Sequence, residues 1–154
     1  MYNIKNHRLG WKMISDGDGL WTTNGYIFCY NYIAESYKIY YKDAGMPDIG
    51  GNIDNKVNEI INTCNLIPVK ARTFTGEVNV EKKINFLWEV VDDNDIKHYF
   101  DSKLIGWLLY RLNKLGYKSI TYKIDSEMKL LLFEFDGNVI GGVMGLNMTE
   151  EDLL

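Results

Sequence analysis

The amino-acid sequence predicts a single α+β domain built mostly from antiparallel strands, with one strong and one weaker amphipathic helix. Short segments rich in aromatic and β-branched residues are separated by Gly, Asn and Asp, as expected for strands and hairpins. Leucines recur at helical spacing over residues 102–115. The chain has 154 residues, 46% of them hydrophobic, which suffices for one core but is short for two domains.

Residues 8–41 are expected to form three strands joined by turns. The segment Asp16-Gly17-Asp18-Gly19 predicts a hairpin turn, because glycine adopts the positive φ angles that such turns require. Residues 20–32 form either two short strands or one bulged strand, since Asn24-Gly25 interrupts them. Residues 37–41 alternate well enough for a further strand.

The weaker helix is expected to follow a Gly-rich break at residues 45–51. Five apolar residues share one helical face behind a cap at Asn52, and they are Ile53, Val57, Ile60, Ile61 and Cys64. Residues 69–74 and 84–91 are strand-like, and Thr75-Gly76-Glu77 between them predicts a turn. An acidic loop at residues 92–95 then leads to the strong helix.

The strong helix covers residues 102–115, with Asp101 or Ser102 as its N-cap and Gly116 at the position that ends a helix. We predict that strands follow at residues 119–124, 130–135 and 139–146. The paired glycines 141 and 142 in the last strand indicate a bulge or a close approach of another chain segment. Residues 1–148 form the predicted domain, and residues 149–154 form an acidic tail that we expect to fray.

Composition excludes several classes of protein. The net charge of −4 is inconsistent with a uniformly basic nucleic-acid binder. The sequence has no run of about 18 apolar residues to cross a membrane, and residues 1–10 lack the apolar centre of a signal peptide, so we expect a cytoplasmic protein. Cys29 and Cys64 are then expected to be reduced, half-buried thiols.

Charge is concentrated on the strong helix. Residues 102–118 contain four basic side chains and no acid, whereas the other 13 basic and 21 acidic residues give a balance of −8. Helical spacing places the basic and aromatic residues opposite the leucines, on a face suited to phosphates with two flat aromatic contacts. The candidate DNA-binding residues are Lys103, Trp107, Tyr110, Arg111, Lys114 and Lys118. The alternative interpretation is an ordinary solvated helix face.

Motifs for catalysis or metal binding are not found. The acidic turn at residue 16 resembles the start of a calcium loop, but the twelfth position is Ile27 where glutamate is required. Neither His7 nor His98 has partners at zinc-site spacing, and no Gly-x-Ser-x-Gly motif is present. The carboxylates of residues 92, 93 and 95 are compatible with a cation-binding site and equally with an acidic loop that faces solvent. We therefore predict a non-enzymatic protein without metal or cofactor.

Three short patches resemble the sliding clamp of bacterial and phage DNA polymerases. Residues 99–148 resemble the second half of a clamp domain, with a leucine-rich helix, three strands and the ending Met144-Gly-Leu-Asn-Met148. Thr23-Asn24-Gly25 is similar to the Thr-Asp-Gly turn of that family, and residues 46–49 are similar to its Tyr-Pro-Asp-Val stretch. The corresponding clamp strand ends in a Met-Pro-Met-like sequence, and its proline is absent from this chain. Residues 42–80 have no counterpart in the clamp domain.

The resemblance implies a phage-type replication accessory protein. Clamp domains turn their helices toward the hole of a ring, where basic residues contact duplex DNA phosphates without reading sequence. A chain with room for one domain would then have to form a homo-oligomer that encloses about six domains. An alternative is a small viral protein that occupies a host protein, through an acidic surface that mimics DNA. A third is an enzyme whose site is assembled from scattered residues around His98 or Cys29.

Overall fold

The computed structural model of the chain describes residues 13–15, 19–34, 39–41, 53–80 and 83–146. Its elements in chain order are β1 Met13–Ser15, β2 Trp21–Thr23, β3 Ile27–Tyr30, β4 Ile39–Tyr41, α1 Ile53–Thr63, β5 Leu66–Val80, β6 Lys83–Asp92, β7 Lys97–Asp101, α2 Ser102–Lys114, β8 Thr121–Asp125, β9 Leu130–Phe135 and β10 Asn138–Met144. The predicted α+β class with two helices is confirmed.

The described strands form one hydrogen-bonded series in the order β4-β1-β2-β3-β10-β9-β8-β5-β6-β7. Every pairing is antiparallel except that between β1 and β4. Just beyond β10, the amide of Leu146 donates to the carbonyl of Tyr99 in β7 at 2.7 Å. The sheet therefore curves until its last strand meets the chain that leaves β10.

The ends of α2 are fixed by local hydrogen bonds, as the sequence predicts. The side chain of Asp101 accepts from the amide of Lys103 at 2.8 Å and caps the first turn. At the other end, Gly116 has φ of 84°, and the amide of Tyr117 donates to the carbonyl of Leu112 at 3.0 Å. This termination sets the position of Tyr117 relative to the helix.

The two helices pack on opposite faces of the sheet. The main core joins α2 to strand side chains that include Val90, Phe100, Leu131, Phe133 and Val143. A second cluster joins α1 to Trp21, Phe28, Leu130 and Leu132. Neighbouring residues of β9 therefore enter different clusters, which explains why its sequence is apolar without alternation.

The largest departure from the sequence prediction is at Thr75-Gly76-Glu77. The predicted turn there is wrong, because β5 runs through it from Leu66 to Val80. The pairing with β6 shifts its register between Phe74 and Gly76, so this glycine marks a bulge.

Strand β7 was also not predicted. The alternative with two short strands around Asn24-Gly25 is confirmed, with Gly25 at φ of 93°.

The glycines of β10 fulfil both roles that the sequence indicates. The register against β9 shifts between Val139 and Gly141, which is a bulge. A Cβ atom on Gly142 would lie 2.5 Å from Cζ of Phe28 and 2.9 Å from Cδ2 of Leu132. The side chains of Phe28 and Leu132 therefore approach the backbone of Gly142 closely. The predicted turn residues 16–18, the cap at Asn52 and the tail at 149–154 lie outside the described residues.

Candidate nucleic-acid and peptide-binding surfaces

Helix α2 and the chain just after it present a basic surface, defined here as Lys103, Tyr110, Lys114 and Lys118. The three lysines are exposed and Tyr110 is half-buried. Lys103 and Lys114 are eleven residues apart, which places them on nearly the same side of the helix and about 16 Å apart along its axis. The ammonium of Lys114 lies 5.0 Å from the centroid of the Tyr110 ring.

Trp107 does not belong to this surface, and the prediction that it faces solvent is wrong. Its side chain is 2% exposed and lies in the main core. Ile33 and Ala34, in the turn after β3, are buried in the same cluster, so the core extends beyond the leucine face of α2. The spacing of apolar residues identifies the most buried side of a helix. It does not reveal that a segment distant in the chain, here Ile33 and Ala34, also covers the neighbouring side that carries Trp107.

Arg111 is held by internal contacts. Its Nε donates to the carbonyl of Ile33 at 2.9 Å, and its guanidinium carbon lies 4.9 Å from the centroid of the Trp107 ring. A guanidinium suits both contacts at once, because it donates through Nε while its planar group lies over the Trp107 ring. Arg111 therefore attaches the turn at residues 31–34 to α2. These contacts give Arg111 a structural role, and its contact with DNA stays a prediction.

An aromatic row, defined as Trp21, Tyr30, Tyr32, Tyr117 and Phe135, connects the turn after β3 to the end of α2. Ring centroids are 4.5 Å apart for Trp21 and Tyr30, and 5.8 Å apart for Tyr30 and Tyr32. Tyr32 and Tyr117 follow at 6.5 Å with 26° between their planes, and Phe135 meets Tyr117 edge-on at 4.9 Å. Tyr117 in this row is the chain neighbour of Lys118. Sequence analysis missed it because residues 32 and 117 meet only through the tertiary fold.

An apolar groove of about 310 Å³ lies between α1, the β2–β3 turn, the β8–β9 turn and the end of β10. Four of the eight exposed large hydrophobic side chains in the described part of the chain line it, and these are Tyr26, Ile60, Met128 and Met144. The charged side chain among the described lining residues is Lys56. A concentration of exposed apolar side chains in one concavity is typical of a binding site.

Hydrogen bonds fix the walls of the groove, both within the β2–β3 turn and between α1 and the start of β2. In the β2–β3 turn, Oδ1 of Asn24 accepts from the amides of Tyr26 at 2.9 Å and Ile27 at 3.0 Å. At the start of α1, the carboxylate of Asp54 accepts from the amides of Leu20 at 2.7 Å and Trp21 at 2.9 Å. The helix and the hairpin are thereby attached to each other, so the groove is preformed.

Asp92, which the sequence offered as a cation ligand, points into the protein. Its Oδ2 lies 2.9 Å from Nε2 of His98, and both side chains are buried. Its Oδ1 accepts from the amides of Asn94 at 2.8 Å and Ile96 at 3.1 Å. Burial alone would raise the pKa of Asp92, but the hydrogen bonds from His98 and the two amides lower it overall. The pair stabilises the β6–β7 connection.

The remaining candidate metal-binding and nucleophilic side chains also have structural surroundings that account for them. Asp95 pairs with Lys70 at the surface, and the described residues contain no group of three or more side chains placed to hold a metal ion. Cys29 and Cys64 are free thiols. Cys29 is fully buried instead of half-buried as predicted, and burial raises its pKa. Burial and the neighbouring Asp125 raise the pKa of Cys64 as well.

Comparisons with known proteins assign no family to the chain. No family model, curated protein or solved structure matches it. In the part of the chain that the structure describes, no helix has the length and apolar character needed to cross a membrane. Function is therefore inferred from the basic surface, the aromatic row and the apolar groove.

Proposed function

We propose that this chain is a non-enzymatic, clamp-domain-like replication accessory protein that contacts the sugar-phosphate backbone of DNA through the basic surface. The observation that carries the proposal is the exposure of Lys103, Lys114 and Lys118 within a stretch that has no acid, in a chain that is otherwise acidic. Lysines act on phosphates as point charges and do not read base sequence. Binding through this surface is therefore electrostatic and independent of sequence.

The order of elements supports a clamp-like arrangement. Helix α2 is followed by three antiparallel strands, β8, β9 and β10, as the clamp resemblance implies for the second half of a domain. Helix α1 lies on the other face of the sheet, which differs from the clamp pattern of helices turned toward the hole, so α2 alone would face DNA in a ring. Native mass measured over a concentration series tests the ring: an assembly of about six domains supports it, and a monomer at all concentrations contradicts it.

Charge-removing variants test the DNA contact. The variant Lys103→Ala/Lys114→Ala/Lys118→Ala removes three exposed charges from the basic surface, and we expect it to bind a labelled 20-base-pair duplex at least tenfold more weakly at low salt. The matched control is Lys56→Ala/Lys70→Ala/Lys97→Ala, which removes three exposed lysines elsewhere. Equal effects of the two variants would show that net charge, and not the basic surface, determines binding.

A second candidate function is recognition of a protein partner, which the apolar groove favours. The groove suits a peptide segment whose apolar side chains are flanked by a carboxylate, because Lys56 supplies the charge on its described rim. An acidic DNA-mimicking surface is less well supported. Three of the acidic side chains, Asp92, Asp125 and Glu134, are buried and contact internal groups.

Selection from a library of random twelve-residue peptides tests this candidate. We expect the protein to enrich peptides with apolar residues beside Asp or Glu, and Lys56→Glu to shift the preference to Lys or Arg. The control Lys70→Glu, at an exposed site away from the groove, should leave the preference unchanged. Ile60→Asp should abolish enrichment, since it places a charge in the apolar groove. Enrichment that neither groove variant alters would contradict the groove assignment.

A further inference from the structure

We infer that Tyr32 and Tyr117, with Lys114 and Lys118, form a site for single-stranded nucleic acid, in which a base stacks on this aromatic pair and the lysines contact the adjoining phosphates. The inference rests on the proposed function, because it uses two lysines of the basic surface. It adds that the preferred ligand is a strand with unstacked bases. Nucleic-acid grooves that bind single strands combine these two features, a row of stacking rings and a basic track.

The exposed middle member of the aromatic row, Tyr32, provides the flat surface. Tyr32 is 44% exposed, whereas Tyr30 and Tyr117 on either side of it are half-buried. The ring of Tyr32 follows Tyr30 at 5.8 Å and Tyr117 at 6.5 Å, with interplanar angles of 32° and 26°. The exposed part of the Tyr32 ring is therefore where a base would stack. Paired bases inside a duplex do not offer their faces to a side chain, so this surface favours a single strand.

Both rings are fixed before any ligand binds. The turn that carries Tyr32 is attached to α2 by the hydrogen bond from Arg111 to Ile33, and the amide of Asn31 donates to the carbonyl of Leu20 at 2.8 Å. Tyr117 is fixed by the end of α2 and by the edge-on contact of its ring with Phe135. A preformed aromatic site loses little conformational entropy on binding, which favours affinity.

Charge on the α2 side of the rings agrees with a polyanionic ligand. Lys118 is the chain neighbour of Tyr117, and Lys114 lies in the last turn of α2, with no acid between residues 102 and 118. An exposed tyrosine in neutral surroundings would equally suit a protein interface. Lys118 next to Tyr117 and Lys114 in the last turn of α2 favour nucleic acid, and binding of a protein instead is one outcome of the test.

The experiment compares fluorescein-labelled dT20 with a 20-base-pair duplex by anisotropy at low salt. We expect Tyr32→Leu and Tyr117→Leu each to weaken dT20 binding by about tenfold, since each removes a stacking ring, and to leave duplex binding unchanged. Tyr32→Phe, which keeps the ring, should bind dT20 as the unmodified protein does. The matched control is Tyr26→Leu, because Tyr26 is an exposed tyrosine in the apolar groove. A 2-aminopurine placed in the strand should be quenched on binding, and Tyr32→Leu should remove that quenching.

The outcomes separate this inference from the proposed function. Loss of duplex binding in the lysine variant, with unchanged dT20 binding in both leucine variants, overturns the stacking site and leaves the DNA contact intact. An unmodified protein that binds neither nucleic acid overturns both. A protein that binds neither but selects peptides that Tyr32→Leu no longer binds assigns the aromatic surface to a protein partner. Circular dichroism of each variant confirms that a loss of binding is not a loss of folding.

Discussion

Nε of Arg111 lies 2.9 Å from the carbonyl oxygen of Ile33, a residue 78 positions earlier in the chain. This hydrogen bond attaches the turn after β3 to the last turn of α2. The guanidinium also lies over the ring of Trp107, so one side chain connects the core, the turn and the helix. Arg111 therefore fixes the turn that carries Tyr32 against the helix that carries Lys103 and Lys114.

Replacing Arg111 is expected to destabilise the fold. Arg111→Met keeps much of the apolar stem but leaves the carbonyl of the buried Ile33 without this donor, which should lower the free energy of unfolding by about 1–3 kcal/mol. Arg111→Lys should recover little of that loss, because an ammonium lacks the planar group that lies over Trp107. Urea unfolding measures both values. A cost below about 0.5 kcal/mol, as is usual for exposed lysines such as Lys114, would contradict the structural role of Arg111.

Stability should depend on pH through Asp92. The pKa of this carboxyl is lower in the folded chain than in the unfolded chain, so its contribution is complete above the unfolded value of about 4 and is lost as the pH falls through the folded value. We expect the free energy of unfolding to fall below about pH 4, and Asp92→Asn to reduce that slope. Urea unfolding between pH 2 and pH 7 tests this, with Asp93→Asn as the exposed control. Identical slopes for the two variants would exclude Asp92 as the source.

The Asp92–His98 pair should also be costly to break at neutral pH. Asp92→Ala leaves the buried His98 without its partner and removes the acceptor for two backbone amides. We expect a loss of about 3–5 kcal/mol in the free energy of unfolding. Thermal or urea unfolding at pH 7 measures it, and a loss under about 1 kcal/mol would show that the pair contributes little.

The close packing at Gly142 predicts a specific compensation. Gly142→Ala should cost about 1–3 kcal/mol, because its Cβ would overlap the ring of Phe28 and the side chain of Leu132. Phe28→Leu removes the ring, so the double variant Phe28→Leu/Gly142→Ala should be more stable than the sum of the two single losses predicts. Additive losses in urea unfolding would mean that the two residues do not compete for space.

The two thiols should differ in accessibility. Cys29 has no exposed surface, whereas Cys64 is half-buried just after α1. Burial raises the pKa of both, so neither reacts as a strong nucleophile, but an aromatic disulfide reagent at pH 8 should modify Cys64 first. Cys29 should react only at the rate of unfolding. Two equally fast thiols in the folded protein would contradict the burial of Cys29.

Local signals predicted the elements whose ends are fixed locally. Helix α2 was predicted because Asp101, the leucines and Gly116 act within a few residues of one another. The turn predicted at Gly76 was wrong because a glycine between two strand-like segments is compatible with either a turn or a bulge, and only pairing with β6 distinguishes them. Strand β7 was missed because five residues between an acidic loop and a helix carry too little pattern.

The candidate sites were only partly predictable. The three exposed lysines follow from helical spacing, which depends on local geometry alone. The burial of Trp107 and the engagement of Arg111 depend on Ile33, more than 70 positions away, and no periodicity encodes that contact. The groove is assembled from segments near Tyr26, Ile60, Met128 and Met144, so it appears only once α1 and the strands are packed.

The salt dependence of duplex binding tests the central claim most directly. If Lys103, Lys114 and Lys118 each neutralise one phosphate, the logarithm of the association constant should fall linearly with the logarithm of salt concentration, with a slope of roughly −2.7. The variant that lacks these three lysines should lose most of that slope, and the control variant at Lys56, Lys70 and Lys97 should keep it. No binding at the lowest salt, or an unchanged slope in the first variant, would contradict the assignment of the basic surface to DNA.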